Sequence, residues 1–404
     1  MNENSRYAVG VDVGTSYIRC VVASLDNEAK PRIVGCSQVE NSGMKKGVIS
    51  HLAGPNKALD KALNEAENMS GQDIKKACFS INGCHILSTK TDGMIAINSP
   101  KQVVSLDDLD RVEEVASIGK IPNNREILKF IPYSYNLDGQ DGIADPMGMN
   151  GNRLEVYANI ISSLAPHINN IHILAEEMEM NVTSIIPSVM AASEAVLNEK
   201  QKESGVVVID MGATTTGVAI YEEGDIQFLR VVPMGGQNIT NDLAICLKIT
   251  PDIAEEIKLK HALAIERSEH HDIVVKRGRE HYSFNTSEID EIIEARLEEI
   301  FEEVRKVLKV AGKDAKLPSG AVLVGGGSNM KKIDEFAKKH LDLATQIGKS
   351  NIESSVSEEV FSPEFAVAVG LMLEDTNSDG DLGGHHQREK EQNGFFARLF
   401  RRNK

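Results

Sequence analysis

The chain has 404 residues, more than one hydrophobic core sustains, so two or more domains are expected. Apolar residues make up 41% and charged residues 26%, the balance of a soluble globular protein. A net charge of −16 excludes nucleic acid as the partner of the body, because phosphate contacts need clustered Lys and Arg. Five scattered cysteines (Cys20, Cys36, Cys78, Cys84, Cys246) without a C-x-x-C read as reduced, mostly buried thiols of a cytosolic protein, not a disulfide frame or zinc site. Neither an apolar leader nor a run of about 18 apolar residues is present, so no signal peptide and no membrane span are expected.

Near the start an apolar run reaches Asp12, a turn follows at Gly14-Thr15-Ser16, and a second strand runs from Tyr17 to Ala23. Arg32–Val39 reads as a third strand, Pro55–Met69 as a helix and Ala77–Ile81 as another strand. From Asn82 to Ser163 the texture changes to short strands (Gly93–Ile97, Ile127–Pro132, Leu154–Ser162) around one helix, Ser105–Ile118. That helix opens on a capping-box pattern with Asp108 in place of Glu. This stretch is a small α/β insert. Ile168–Asn181 and Ser188–Glu199 are expected as helices, the second with Ser188 as its cap. Val208-Ile-Asp210-Met-Gly212-Ala-Thr214-Thr215-Thr216 then repeats the opening pattern and leads into a strand, Gly217–Tyr221. Residues 250–310 read as helical and charged, with a long helix Ser287–Val310 that keeps Ile289, Ile293, Leu297, Ile300 and Val304 on one side. A last strand, Ala321–Val324, runs into Gly325-Gly326-Gly327-Ser328-Asn329 and a further helix. Residues 374–393 are almost devoid of apolar groups and read as a linker.

The repetition carries the chemistry. A glycine turn lets backbone N–H groups approach an anion, the hydroxyls add donors, and an Asp at each strand end suits a hydrated magnesium ion. Two such hairpins facing each other clamp a polyphosphate between related half-molecules, so ATP with Mg2+ is the expected cofactor.

Two phosphate signatures followed by a late Val-Gly-Gly-Gly-Ser segment resemble the actin, Hsp70 and sugar-kinase superfamily. That resemblance implies an α/β actin-like fold of two duplicated domains around a nucleotide cleft. Asp12, Gly14, Thr15 and Ser16 would face phosphate from one half, and Asp210, Gly212, Thr214 and Thr215 from the other. Asp12 and Asp210 would hold Mg2+, through water. Gly325, Gly326, Gly327 and Asn329 would border adenosine, with Gly235, Gly236, Glu255 and Lys258 at the nucleoside. The pair Glu255 and Lys258 reads equally as an i,i+3 surface ion pair. Active ATPases of this kind place Glu or Gln before the connecting helix to orient water; here Ile185 and Ile186 precede it. Hydrolysis is therefore expected to be slow or absent.

The last eleven residues differ from the rest. At about 100° per residue, Phe395, Phe396, Leu399 and Phe400 fall on one arc of a helix and Arg398, Arg401 and Arg402 on the other. Such a helix lies in an anionic membrane interface, where each basic residue contributes about 1 kcal/mol and each buried Phe or Leu about 1.5–3 kcal/mol. Folding the helix offsets much of this, so one tail binds reversibly and a row of tails binds by avidity.

A polar linker followed by a short amphipathic helix, on an actin-like body, resembles the FtsA family of bacterial cell-division proteins. Gly43-Met-Lys-Lys-Gly-Val-Ile49, Ile131-Pro-Tyr-Ser-Tyr-Asn136, Asp145-Pro-Met-Gly-Met149 and Phe361-Ser-Pro-Glu-Phe-Ala-Val-Ala-Val-Gly370 resemble segments of that family. The resemblance divides the chain into 1–81 (first part of subdomain 1A), 82–163 (inserted subdomain 1C), 164–199 (helices of 1A and the interdomain connection) and 200–235 (subdomain 2A). It continues with 236–312 (subdomain 2B), 313–373 (end of 2A and return to 1A), 374–393 (flexible linker) and 394–404 (membrane-targeting helix). It implies a protein that tethers FtsZ filaments to the cytoplasmic face of the membrane at the division site, polymerises with itself and recruits later division proteins. Arg296 would lie near the site for the FtsZ C-terminal tail, with Lys276, Arg277 and Arg279 adding charge; all four read equally as solvated surface residues. The competing expectations are an actin-like adaptor for type IV pilus assembly and a sugar or carboxylate kinase. Neither has use for the tail, and no carboxylate base for a kinase is apparent.

Overall fold

The computed structural model describes residues 6–99, 101–277, 280–350 and 352–379. The amphipathic segment 394–404 and most of the linker lie outside the described residues.

Two sheets repeat one another. In the first half the order is Asn181–Pro187, Lys76–Ile81, Tyr7–Val13, Tyr17–Leu25, Pro31–Glu40, with Glu353–Ser354 added at the edge. In the second it is Thr345–Ile347, Ala321–Val324, Val206–Met211, Thr216–Glu222, Asp225–Val232. In each sheet the Asp-bearing strand pairs antiparallel with the strand after the glycine turn and parallel with a later strand. The strands beside the turns are apolar on both faces because helices cover both sides. Helix Ala53–Ser70 covers one face of the first sheet through Leu59, Ala62, Leu63 and Ala66. Helix Thr286–Val310 presents Ile289, Ile293, Leu297, Ile300 and Val304 to the second core, as its spacing predicts.

Two helices run between the halves. Ser188–Val196 connects them, and Ala366–Asp379 returns across the back of the strand Tyr7–Val13. They touch at Gly370, where an added Cβ would lie 1.7 Å from Ala191 O, so only a glycine permits this crossing.

The insert is an antiparallel sheet, Leu87–Ala96, Arg153–Leu164, Arg125–Leu137, Gln140–Ile143, with helix Leu106–Ser117 on one face. The Ser105–Asp108 capping box is formed, with Asp108 N donating to Ser105 Oγ (3.4 Å) and Ser105 N to Asp108 Oδ2 (3.0 Å). Its Ile86, Ile131 and Ile161 join a core shared with Val189 of the connecting helix and Val208 and Ala219 of the second half.

Several elements differ from the sequence expectation. The helix expected to Asn181 is Ala165–Glu176, and Asn181–Pro187 is a strand, because Val182, Ile185 and Ile186 pair with Lys76–Ile81. Residues 250–310 are not all helical. Strands Asp272–Arg277 and Glu280–Asn285 form a hairpin there, with Ile273 and Val275 buried and Val274 exposed in a period of two. Insert strands are longer than expected, Arg125–Leu137 most of all. Ser188 is the first helical residue rather than the cap, which is Pro187 without a side-chain bond, and the helix ends at Val196, before a separate Asn198-capped turn. The linker does not begin at 374: the helix continues through Asp379 because the Asp375 carboxylate is buried and accepts from Val9 N (2.9 Å) and Thr183 Oγ1 (2.6 Å).

Candidate functional site

Asp12 and Asp210 each sit near the end of an apolar strand, and the two glycine turns beside them face one another. The first turn is held by Asn41, whose Nδ2 donates to Gly14 O (2.7 Å) and whose N donates to Ser16 O (2.8 Å). The second is held by the start of helix Gly236–Cys246, with Gly236 N donating to Gly212 O (2.9 Å) and Gln237 N to Ala213 O (2.6 Å). Between them lies a cavity of about 310 Å³, of the size that takes small ligands.

The expected residues converge. Asp12, Gly14, Thr15, Ser16, Asp210, Gly212, Thr215, Gly236, Glu255, Lys258, Gly325, Gly326, Gly327 and Asn329 line the cavity. Thr214 does not line it but meets Thr15 across the cleft, Oγ1 to Oγ1 at 3.0 Å. Gly235 packs behind the second turn, where an added Cβ would lie 2.5 Å from Gly212 O. At Gly325 (φ +80°) a Cβ would stand 2.4 Å from Asp210 Oδ1, so a side chain there would strike the carboxylate.

Around the two carboxylates positive charge is scarce, with Arg19 the nearby cation. Asp12 and Asp210 are each 6% exposed. Asp12 Oδ1 accepts from Ser80 Oγ at 2.8 Å, and Ser80 Oγ in turn accepts from Val13 N at 2.8 Å. Burial pushes the Asp12 carboxyl up, against the opposing pull of Arg19 and Ser80. Burial, and then the charge of Asp12, push Asp210 up to about 7, with Arg19 opposing. Two carboxylates contributed by opposite halves are the donors that would hold a hydrated magnesium ion, through water. Among the described residues no group of three or more His, Cys, Asp or Glu side chains gathers as a metal site.

Arg19 is the residue that motif reading missed. It lines the cavity, lies 3.9 Å from Asp12, donates from Nε to Gln38 Oε1 (2.7 Å) and sits over the rings of Tyr17 and Phe365. Its burial works against its charge, and Asp12, Glu364 and Asp210 sustain it. The signal was available: a lone Arg in the apolar strand Tyr-Ile-Arg-Cys-Val-Val-Ala must meet an anion. Asn82, Ser188 and Glu364 also line the cavity without a motif to announce them. Asn82 Nδ2 donates to Thr215 Oγ1 (3.2 Å), and Asn329 Nδ2 to Glu364 Oε2 (2.7 Å).

At the far end Lys258 Nζ reaches Glu255 Oε2 (2.7 Å), Thr240 Oγ1 (2.8 Å) and Gly236 O (3.1 Å). The Lys258 side chain is 13% exposed and that of Glu255 39%, so a largely buried ammonium meets a more exposed carboxylate at the cavity. The connecting helix is preceded by Ile185, Ile186 and Pro187, none with a side chain that can orient water. Glu194 pairs with Lys202 (2.8 Å) and does not line the cavity.

Arg296 lies apart from the cleft. It forms a bidentate pair with Asp242 (2.5 and 3.0 Å) and also meets Glu299 (2.6 Å), so its charge is engaged within the chain. Arg277 pairs with Glu256 (3.0 Å), Lys276 is exposed, and Arg279 lies outside the described residues. All five cysteines are free. Among the described residues no helix is long and apolar enough to cross a membrane.

Two duplicated α/β halves closing on paired Asp-glycine hairpins, with a third small sheet inserted in the first half, define a protein of the actin-like fold. Solved structures of that fold agree. The chain aligns with the PilM-PilN type IV pilus biogenesis complex over 91% of its length and 98% of that chain (TM-score 0.67, 16% identity). It aligns with MreB5 of Spiroplasma citri bound to ADP over 91% of its length and 95% of that chain (TM-score 0.54, 14% identity). Within the fold, residues 207–370 match the model of cell division protein FtsA, and residues 83–162 match the SHS2 domain inserted in FtsA. The chain is 32% identical to cell division protein FtsA of Neisseria meningitidis, over 99% of both chains. It is 33% identical to that of Bacillus subtilis, over 92% of this chain and 84% of the relative. The chain belongs to the FtsA family of cell-division proteins.

Proposed function

We propose that the protein binds ATP with magnesium in the cleft and ties FtsZ filaments to the inner face of the cytoplasmic membrane at the division site. The observation that carries the nucleotide reading is the pair of buried carboxylates on duplicated hairpins, with Arg19 beside them, facing one cavity. Thr15, Ser16 and Thr215 donate to phosphate oxygens, Arg19 neutralises their charge, and the glycines at 325–327 admit the nucleoside. When bound, magnesium supplies the positive charge that the Asp12–Asp210 pair lacks. Two structures of the same fold, MreB5 of Spiroplasma citri bound to ADP and to AMPPNP, support the choice of ligand. The apolar residues before the connecting helix favour slow or absent hydrolysis, so nucleotide acts as a state marker.

The remaining parts of the reading rest on family membership and on the tail. Phe395, Phe396, Leu399 and Phe400 enter an anionic lipid interface while Arg398, Arg401 and Arg402 meet headgroups. Self-polymerisation multiplies weak tails into stable attachment, and later division proteins join the assembled row. Arg296, held by Asp242, could meet the FtsZ tail only by sharing or exchanging that carboxylate.

The test is co-sedimentation of FtsZ filaments with anionic liposomes in the presence of ATP and magnesium. FtsZ should pellet with liposomes when the full chain is added and stay in the supernatant with residues 1–393. Equal pelleting with both would overturn the tether. Failure of the full chain to bind ATP in a parallel titration would overturn the nucleotide site.

A further inference from the structure

The chain enters the insert at residues 82–86 and leaves it at 162–167, and one polar knot binds these crossings together. Asn82 is its inner end. The side-chain oxygen of Asn82 accepts from Gly83 N (2.7 Å), which turns Nδ2 toward the second phosphate turn, where it donates to Thr215 Oγ1 (3.2 Å). The Asn82 carbonyl meets His85 Nε2 at 3.0 Å, and His85 Nδ1 meets Ser163 Oγ at 3.0 Å. Burial, with His167 and Arg125 nearby, lowers the His85 pKa to about 4, so the ring is neutral near pH 7. A neutral ring has one donor and one acceptor, which these partners assign: Nε2–H donates to Asn82 O, and Nδ1 accepts from Ser163. The ring stacks on His167 at 4.1 Å. Arg125, first residue of a central insert strand, closes the knot by donating to His85 O (2.5 Å) and to Ser162 O (2.8 Å). The hairpin Met44–Ile49 packs on the same turn, since a Cβ at Gly47 would lie 3.0 Å from Gly83 N.

The insert has a second attachment. Asn159, fully buried, donates from Nδ2 to Ile226 O (3.2 Å) and Gln227 O (3.0 Å) on the edge strand of the second half. Its position therefore depends on both halves at once. Only Asn82 links the knot, among these groups, to a residue lining the phosphate end of the cavity.

We propose that Asn82 couples the terminal phosphate in the cleft to the seating of the insert. The inference rests on the nucleotide reading above and adds how that site is read out. A phosphate oxygen is a stronger acceptor than a threonine hydroxyl, so a triphosphate draws the Thr215 hydroxyl or the Asn82 amide to itself. A diphosphate lacks that oxygen and leaves the Asn82–Thr215 bond as it stands. The change passes along the Asn82 backbone to His85, and from there to Ser163 and Arg125.

Hydrogen–deuterium exchange on the full chain tests this, comparing ADP·Mg with a non-hydrolysable ATP analogue·Mg. Segments 83–90 and 160–168 should differ in exchange rate by at least about twofold between the two nucleotides. Asn82→Ala should abolish the difference. Ser163→Ala, which leaves the cavity lining intact, should bind both nucleotides as the wild type does and lose most of the difference. Equal exchange in the wild type with both nucleotides bound, or a full difference in either variant, overturns the coupling alone. A wild-type chain that binds neither nucleotide overturns the cleft reading and the coupling with it.

Discussion

Replacing Asp210 with Asn isolates the energetic cost of the paired carboxylates. Burial and the charge of Asp12 push Asp210 up to about 7, whereas the unfolded chain titrates it near 3.8. Between those values the folded protein holds a proton that the unfolded chain has released. Stability is therefore intact below the lower value, falls as pH rises through the window and reaches its full loss above about 7. Each pH unit inside the window is worth about 1.4 kcal/mol, so an ionised Asp210 costs on the order of 4 kcal/mol. Asn is nearly isosteric and carries no charge at any pH. In chelator-treated, nucleotide-free protein the variant should gain about 1 kcal/mol on the wild type between pH 6 and pH 8. The assay is urea unfolding at each pH, read as a widening gap between midpoints. The same variant should lose magnesium-dependent stabilisation by nucleotide, so stability and binding move in opposite directions. Parallel pH profiles for variant and wild type would refute the reasoning, because Asp210 would then hold no extra proton in the folded state.

Arg19→Gln should weaken nucleotide binding by roughly tenfold to a hundredfold, the value of a hydrogen bond to a charged group, and an unchanged Kd by fluorescence titration would remove Arg19 from the site. Gly370→Ala forces a methyl against Ala191 O and should destabilise by about 1–3 kcal/mol, lowering Tm by several degrees; an unchanged Tm would show that the two helices part freely. Phe396→Glu combined with Phe400→Glu should leave the body folded and abolish pelleting with anionic liposomes, and retained pelleting would locate the lipid contact elsewhere.

The cleft was legible in the sequence because its chemistry sits on short contiguous patterns. Asp12 with its turn and Asp210 with its turn are each readable in one window, and their repetition reveals that they face each other. Asn82 and Glu364 were not read, since each reaches the cavity from a segment without a motif, whereas Arg19 was readable as a lone charge in an apolar strand. The edge elements were misread for a related reason. Asn181–Pro187 carries the β-branched residues Val182, Thr183, Ile185 and Ile186, a strand signal too short to stand out between two helices until Lys76–Ile81 pairs with it. The charged stretch 250–310 hid a hairpin whose alternation is only six residues long on each strand. At 374 composition misled: a carboxylate is rarely buried, yet Asp375 is buried because two donors from other elements await it.

That carboxylate also has a mechanical meaning. The helix Ala366–Asp379 is wedged between the connecting helix and the strand Tyr7–Val13, and Asp375 clasps that strand at Val9 N. The same strand carries Asp12 toward the cleft. A pull applied to the helix from beyond Asp379 would load this clasp, through the Val9 and Thr183 bonds, on the strand that carries Asp12.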